Sequence, residues 1–295
     1  MYDIIIVGAG PAGLTSALYA LRAGKKVLVL DAKAYGGKII NANKIENYPG
    51  IENISGYEFA TNLFNQVKKY GCEIRYETVV HIDENKEVTT NKDKFNAKAI
   101  ILATGSFNRK LNIEGETNLS GKGVSYCATC DGNFYKDKTV AVIGSGESAI
   151  EDAIYLSGIV NKVYLINKNS SFKTLSNKVD TLNEYKNIET IYNCDIKKIN
   201  GSDFVESIDI IIDGNEEKTI DINGVFIAIG EEPKNEIFKN IVDLDEKGYI
   251  ISSDGVHTKT PGIYVAGDTR VKELRQLTTA VSDGSIAATV AIKEL

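Results

Sequence analysis

Apolar residues dominate positions 2–7, and the run ends in Gly8-Ala-Gly10-Pro-Ala-Gly13. A helical spacing follows through Leu14, Ala17, Leu18 and Leu21 and stops at Gly24. Lys26 to Leu30 then reads as a second strand, closed by Asp31. Unbroken apolar runs of this length predict strands covered on both faces, and the intervening helical period makes this a strand–turn–helix–strand unit. The pattern recurs: strand 139–143, turn Gly144-Ser-Gly146-Glu-Ser-Ala149, a helix beginning at 150–156, strand 163–166. Each half also carries a later strand ending in a glycine turn, at Ala103-Thr104-Gly105 and Ala228-Ile-Gly230. Smaller hairpin strands are expected at 73–82 with 86–90 and at 204–212 with 217–222, and a closing helix at 277–292.

The glycines suit a dinucleotide-binding turn. The first permits the tight turn, the second lets backbone approach a pyrophosphate, and the third lets helix and strand pack closely. Asp31 lies about 20 residues after Gly8, where a carboxylate can meet a ribose diol. A chain of 295 residues holds about two domains, and 43% apolar with 25% charged residues is ordinary for a globular protein. The formal charge of −6 argues against nucleic acid as a partner. No signal peptide or membrane-spanning run is evident, so a cytoplasmic protein is expected.

Cys127-Ala-Thr-Cys130, followed by Asp131, is the stretch that carries chemistry. Two thiols at this spacing, at the start of an expected helix, can close into an easily reduced disulfide, and a helix N-terminus lowers thiol pKa. Half of a zinc site has the same spacing, but a second ligand pair is lacking: Cys72, Cys194, His81 and His257 are isolated. No metal is expected. Cys72 and Cys194 read as small buried apolar residues.

Together, Gly8-Ala-Gly-Pro-Ala-Gly13, Glu46-Asn-Tyr-Pro-Gly50, Ala103-Thr-Gly105, Cys127-Ala-Thr-Cys-Asp-Gly132, Ala266-Gly-Asp268 and Leu274-Arg-Gln276 resemble the low-molecular-weight thioredoxin reductases from end to end. The resemblance implies an α/β protein of two Rossmann-like, three-layer domains, the second inserted into the first. The expected FAD domain is 1–112 with 240–295, and the expected pyridine-nucleotide-type domain is 113–239. The inserted domain is expected to rotate about crossings near 112–115 and 234–245. By the same resemblance Gly8, Gly10, Ala12, Gly13, Asp31, Gly36, Gly37, Asn47, Thr104, Gly105, Asp268, Arg275 and Gln276 contact FAD. It further implies that Cys130 is the thiol nearer the flavin, that Asp131 exchanges protons with the thiols, that thioredoxin accepts the electrons, and that the protein is a homodimer.

One stretch departs from the family pattern. NADPH-using members carry His-Arg-Arg and a further Arg after the second strand of the inserted domain, where bidentate guanidinium groups clamp the 2′-phosphate. Here the stretch is Ile166-Asn167-Lys168-Asn169-Ser-Ser-Phe172-Lys173, and Asn167 stands at the offset from Gly144 that Asp31 has from Gly8. The departure resembles the flavin thioredoxin reductases that take electrons from ferredoxin. A ferredoxin at about −400 mV lies roughly 130 mV below thioredoxin, worth about 6 kcal/mol for two electrons. Ferredoxins are acidic, and between Lys162 and Lys198 lysines outnumber Asp180, Glu184, Glu189 and Asp195. Two readings stay open beside the ferredoxin-linked thioredoxin reductase: an NADPH- or NADH-linked reductase with atypical nucleotide contacts, and a flavin redox sensor without turnover.

Overall fold

The computed structural model describes residues 1–42, 44–173 and 179–295. The chain divides into two compact units, Met1–Phe107 with Glu232–Leu295, and Asn108–Glu231. The divisions fall a few residues ahead of the expected 112/113 and 239/240. Side-chain burial accounts for the difference: Leu111 packs against the core of the second unit, whereas Phe238 belongs to the core of the first.

In the first unit, five parallel strands run in the order Glu73–Tyr76, Val27–Asp31, Tyr2–Val7, Lys94–Leu102 and Ile263–Val265. Alternate residues feed two cores. Ile4, Ile6, Val29 and Ile101 face the helices Pro11–Arg22 and Leu277–Glu294, while Ile5, Val7, Leu30 and Leu102 share a cluster with Phe238, Ile241 and Ile250. Burial on both faces is why these strands read as continuous apolar runs. The first half of Lys94–Leu102 also pairs antiparallel with Glu87–Thr90, which pairs with Val79–Ile82. The single strand expected at 73–82 is therefore two: its first part joins the parallel sheet and only its second part makes the hairpin.

The second unit repeats the plan. Its parallel sheet runs Ile188–Ile191, Lys162–Ile166, Thr139–Ile143, Gly224–Ile227 and Val124–Ser125. One face packs on the helix Glu147–Ser157. The other packs on an antiparallel sheet of Cys194–Asn200, Ser207–Ile212 and Glu216–Asp221. Both units are Rossmann-like α/β domains.

Helix contact in the first unit depends on one glycine. A Cβ on Gly284 would meet Ala12 O at 2.2 Å, and the buried Ser16 Oγ lies 3.0 Å from Gly284 O. Gly284→Val should therefore cost about 1–3 kcal/mol by overpacking. Urea unfolding measures it, and an unchanged midpoint would show that the two helices do not limit stability.

Candidate functional site

The first glycine turn is built so that backbone replaces side chains. A Cβ on Gly8 (φ +111°) would sit 2.2 Å from Ala103 O, and one on Gly13 would sit 1.9 Å from Gly8 O. Gly10 differs: a Cβ there would meet only Gly37 Cα, at 3.8 Å, so glycine leaves a cradle open between the 8–13 turn and Gly36–Gly37. Gly36 N donates to Ala9 O at 2.8 Å, which holds the two loops together. Gly10 is also the N-cap of the helix Pro11–Arg22 and supplies no side-chain acceptor, so the first-turn N–H groups near Ala12 are offered to an anion. Asp31 accepts from Ala9 N (2.8 Å) and Lys33 N (2.9 Å), which fixes its carboxylate beside the turn.

At the ends of the neighbouring strands stand Thr104, Gly105 and Asp268. Thr104 Oγ1 lies 2.8 Å from Thr269 Oγ1 and 3.2 Å from Asn235 Oδ1. Asp268 lies on the tight turn Gly267–Thr269 after strand Ile263–Val265. The Arg275 guanidinium stacks 4.0 Å from the Tyr249 ring and donates to Asp268 O (3.3 Å) and Arg270 O (3.2 Å). Gln276 caps the Leu277–Glu294 helix and accepts from Asn47 Nδ2 at 3.2 Å. The first unit thus gathers Gly8, Gly10, Ala12, Gly13 and Asp31 around one turn, and joins Asp268 to Arg275 and Asn47 to Gln276. Asp283 was not legible in the sequence. It receives Gly267 N, Arg270 and Lys272, and although burial raises its carboxyl pKa, those bonds hold it below the ordinary range.

The second glycine turn shows the same packing: a Cβ on Gly144 would meet Ala228 O at 2.4 Å. The residue at the Asp31 position behaves differently. Asn167 is fully buried; its Oδ1 accepts from Asn169 N at 2.9 Å, repeating the Asp31–Lys33 bond, but its Nδ2 has no hydrogen-bond partner among the described residues. An aspartate can accept at both oxygens, whereas a carboxamide cannot. Beside it lies a cavity of about 330 Å³, walled by Ile143, Ile166, Ile196 and Ile229 with Gly144, Ser145 and Lys168. Lys168 pairs with Asp195 at 3.1 Å. Lys162, Lys197 and Lys198 likewise pair with Glu189, Glu217 and Glu114. The basic excess expected for docking is therefore largely neutralised locally, and Lys178 lies outside the described residues.

Cys127 and Cys130 are joined by a disulfide. The helix expected to begin there is a single turn, Ala128–Asp131, continued by the 3-10 turn Gly132–Tyr135. A dipole argument for lowered thiol pKa loses most of its force over one turn. The turn abuts the helix Glu147–Ser157, since a Cβ on Gly132 would approach Leu156 Cδ2 to 2.9 Å. Cys130 is exposed, while Cys127 is half-buried. Asp131 is half-buried too, and burial pushes its carboxyl pKa up while a hydrogen bond from Ser125 works against the rise. Upstream, Tyr126 OH donates to the buried Glu116 at 2.7 Å, and Glu116 also accepts from Leu111 N and Asn112 N. This tether fixes the residue before Cys127. Ser125, Tyr126 and Glu116 escaped the sequence reading; a serine two residues before the first cysteine was the one available signal.

Cys72 and Cys194 are buried, and burial raises their thiols to about 12 and about 11, so neither is a thiolate at neutral pH. Among the described residues no group of His, Cys, Asp and Glu has metal-site geometry, and no helix is long and apolar enough to cross a membrane.

The chain is similar to known proteins over nearly its whole length. A family model described as pyridine nucleotide-disulphide oxidoreductase matches residues 2–284. Proteins named thioredoxin reductase from Listeria monocytogenes serovar 1/2a and Bacillus subtilis (strain 168) are 37% and 38% identical. The matches cover 97% and 98% of this chain and 92% and 93% of theirs. The crystal structure of thioredoxin reductase from Streptococcus pyogenes MGAS5005 superposes with a TM-score of 0.96 at 37% identity, over 100% of this chain and 98% of that one.

A raised carboxyl pKa has a stability consequence of definite sign. The folded protein holds the Asp131 proton more tightly than the unfolded chain, so the cost grows as pH rises from the unfolded value, about 4, through the folded one. Asp131→Asn should therefore be more stable than the parent at pH 7, with the difference shrinking toward pH 4. Urea unfolding at both pH values tests this; a variant less stable at pH 7 would show that the charge is well solvated.

Proposed function

We propose, for a chain that belongs to the pyridine nucleotide-disulphide oxidoreductase family, an FAD-dependent thioredoxin-disulfide reductase. The observation that carries this reading is the Cys127–Cys130 disulfide beside a half-buried acid, Asp131, inside a nucleotide-type domain. In this reading thioredoxin is the acceptor and the protein works as a cytoplasmic homodimer.

The first unit suits FAD on grounds of its own backbone. The open cradle at Gly10 and Gly37, with uncapped N–H groups of the Pro11–Arg22 helix, fits a pyrophosphate. Gly8 and Gly13 let the strand end and helix close around it, and Asp31 faces a ribose. Gly36 completes the cradle beside Gly37, and Thr104, Gly105 and Asp268 line the strand ends for the remaining hydroxyls, with Arg275, Gln276 and Asn47 bracing the far side. When bound, FAD supplies the redox chemistry that delivers two electrons to the disulfide.

The chain's own residues do the rest. One thiolate of the reduced pair attacks the thioredoxin disulfide, forming a mixed disulfide and releasing one thioredoxin thiolate. The other cysteine of the pair attacks the mixed bond, which restores Cys127–Cys130 and frees dithiol thioredoxin. Two electrons and two protons pass to thioredoxin, and Asp131 is the carboxyl group that gives and takes a proton at the cysteines.

For the donor, a ferredoxin is the proposal that the Asn167 stretch supports. Asn167 is buried and bonded to Asn169 N, and Lys168 is paired with Asp195, so neither is arranged as a 2′-phosphate clamp. A pyridine nucleotide is the second reading, and the cavity at Gly144 favours it.

Three measurements test these statements. Anaerobically, reduced ferredoxin should bleach the flavin and turn over thioredoxin, whereas NADPH and NADH should bleach it slowly. Rapid bleaching at micromolar NADPH would move the assignment to the second reading, and bleaching without thioredoxin turnover would indicate a sensor. Cys130→Ser should retain FAD and lose thioredoxin reduction; retained activity would make the pair structural. Gly10→Val should fill the cradle and weaken FAD binding at least tenfold by fluorescence titration, and unaltered affinity would place the pyrophosphate elsewhere.

A further inference from the structure

Ser125 is a buried hydroxyl, 5% exposed, at the end of the short strand Val124–Ser125. Its Oγ is 2.6 Å from Asp131 Oδ2, accepts the backbone N–H of Cys127 at 3.1 Å, and lies 3.4 Å from Cys127 O. One small side chain therefore ties the acid to the backbone of the first cysteine. The Cys127 N–H bond is the local turn that a serine makes with the backbone two residues on, whereas the bond to Asp131 spans six residues and joins strand to turn. Strand Val124–Ser125 pairs with Gly224–Ile227, so the hydroxyl sits on the sheet while Asp131 sits on the turn.

We propose that Ser125 is the positioning residue that holds Asp131 at the Cys127–Cys130 pair in both of its protonation states. A serine hydroxyl has one proton to donate and two lone pairs. One lone pair takes the Cys127 N–H in either state. When Asp131 is a carboxylate, the Ser125 proton points to Oδ2. When Asp131 is protonated, its O–H donates to the second lone pair of Ser125, and the Ser125 proton turns toward Cys127 O. The hydroxyl rotates and the carboxyl group stays in place. Among the described residues Ser125 is the one side chain that donates to Asp131, and its bond opposes the effect of burial on this acid.

The proton step balances simply. Reduction of the disulfide by an external dithiol makes one bond in the mixed disulfide and releases one cysteine thiolate. Asp131 transfers its proton to that sulfur and becomes a carboxylate, which the Ser125 hydroxyl then solvates. In the reverse direction the carboxylate removes the proton from the thiol. Two electrons come from the dithiol, which leaves as its own disulfide.

The inference rests on the pair being redox-active but not on thioredoxin or on any donor, so it is tested with dithiothreitol on the FAD-loaded protein. The rate of Cys127–Cys130 reduction is followed by quenched alkylation and mass spectrometry and divided by the dithiothreitol thiolate concentration at each pH. A step requiring protonated Asp131 slows as pH rises through its pKa. Ser125→Ala should slow the low-pH rate by roughly fivefold, the worth of one such bond, and move the limb to higher pH, because the bond that favours the carboxylate is gone. Ser125→Thr, which keeps the hydroxyl, should restore both. In an Asp131→Asn background Ser125→Ala should add nothing further. An unmoved limb, or an equal loss in the Asp131→Asn background, would overturn the proposal. Infrared difference spectra of the unsubstituted protein, reduced minus oxidised, provide a test that needs no Ser125 variant. The carboxyl band that Asp131→Asn removes should have the frequency of a hydrogen-bonded acid, and the frequency of a free acid would overturn the proposal as well.

Discussion

Both units depend on parallel strands covered on two faces. Such strands leave no room for side chains where they end, so backbone must turn at once into a helix, and Gly8, Gly13 and Gly144 are the positions where even a methyl group would strike a carbonyl oxygen. The same constraint makes the turns chemically useful, because backbone N–H groups with no covering side chain are left at the carboxyl ends of the strands. Fold stability and ligand capacity are thus two consequences of one packing requirement.

The two turns share that geometry and differ in what stands beside them. In the first unit Asp31 satisfies Ala9 N and Lys33 N together, while in the second the Asn167 side chain satisfies Asn169 N and, among the described residues, its Nδ2 donor is unmatched. The second unit also carries the short turn of Cys127, Cys130 and Asp131, with the disulfide between the two cysteines. Burial raises the Asp131 carboxyl pKa and so works against stability at neutral pH, while the Ser125 hydroxyl opposes the rise. Glu116 and Ser125 hold the segment on either side, one through Tyr126 and the other through Asp131.

Much of the fold was readable because apolar runs, glycine turns and helical spacing agreed with one another at 2–31 and again at 139–166. The error at 73–82 arose because the pattern continues through Glu77 and Thr78 without glycine or proline, so the break between Glu73–Tyr76 and Val79–Ile82 left no mark. The cysteine pair and Asp131 were visible as a motif, but the extent of the helix was not, since Gly132 packing against Leu156 is a tertiary contact. Ser125, Glu116 and Asp283 were hidden for the same reason: each is defined by partners that only the folded chain brings within reach.

The account turns on the Cys127–Cys130 pair being a working dithiol rather than a structural bridge. Its midpoint potential, measured by equilibration with dithiothreitol redox buffers and thiol trapping, tests that directly. A value near that of thioredoxin, about −270 mV, is predicted. A value well below about −300 mV, in the range of structural disulfides, would contradict it.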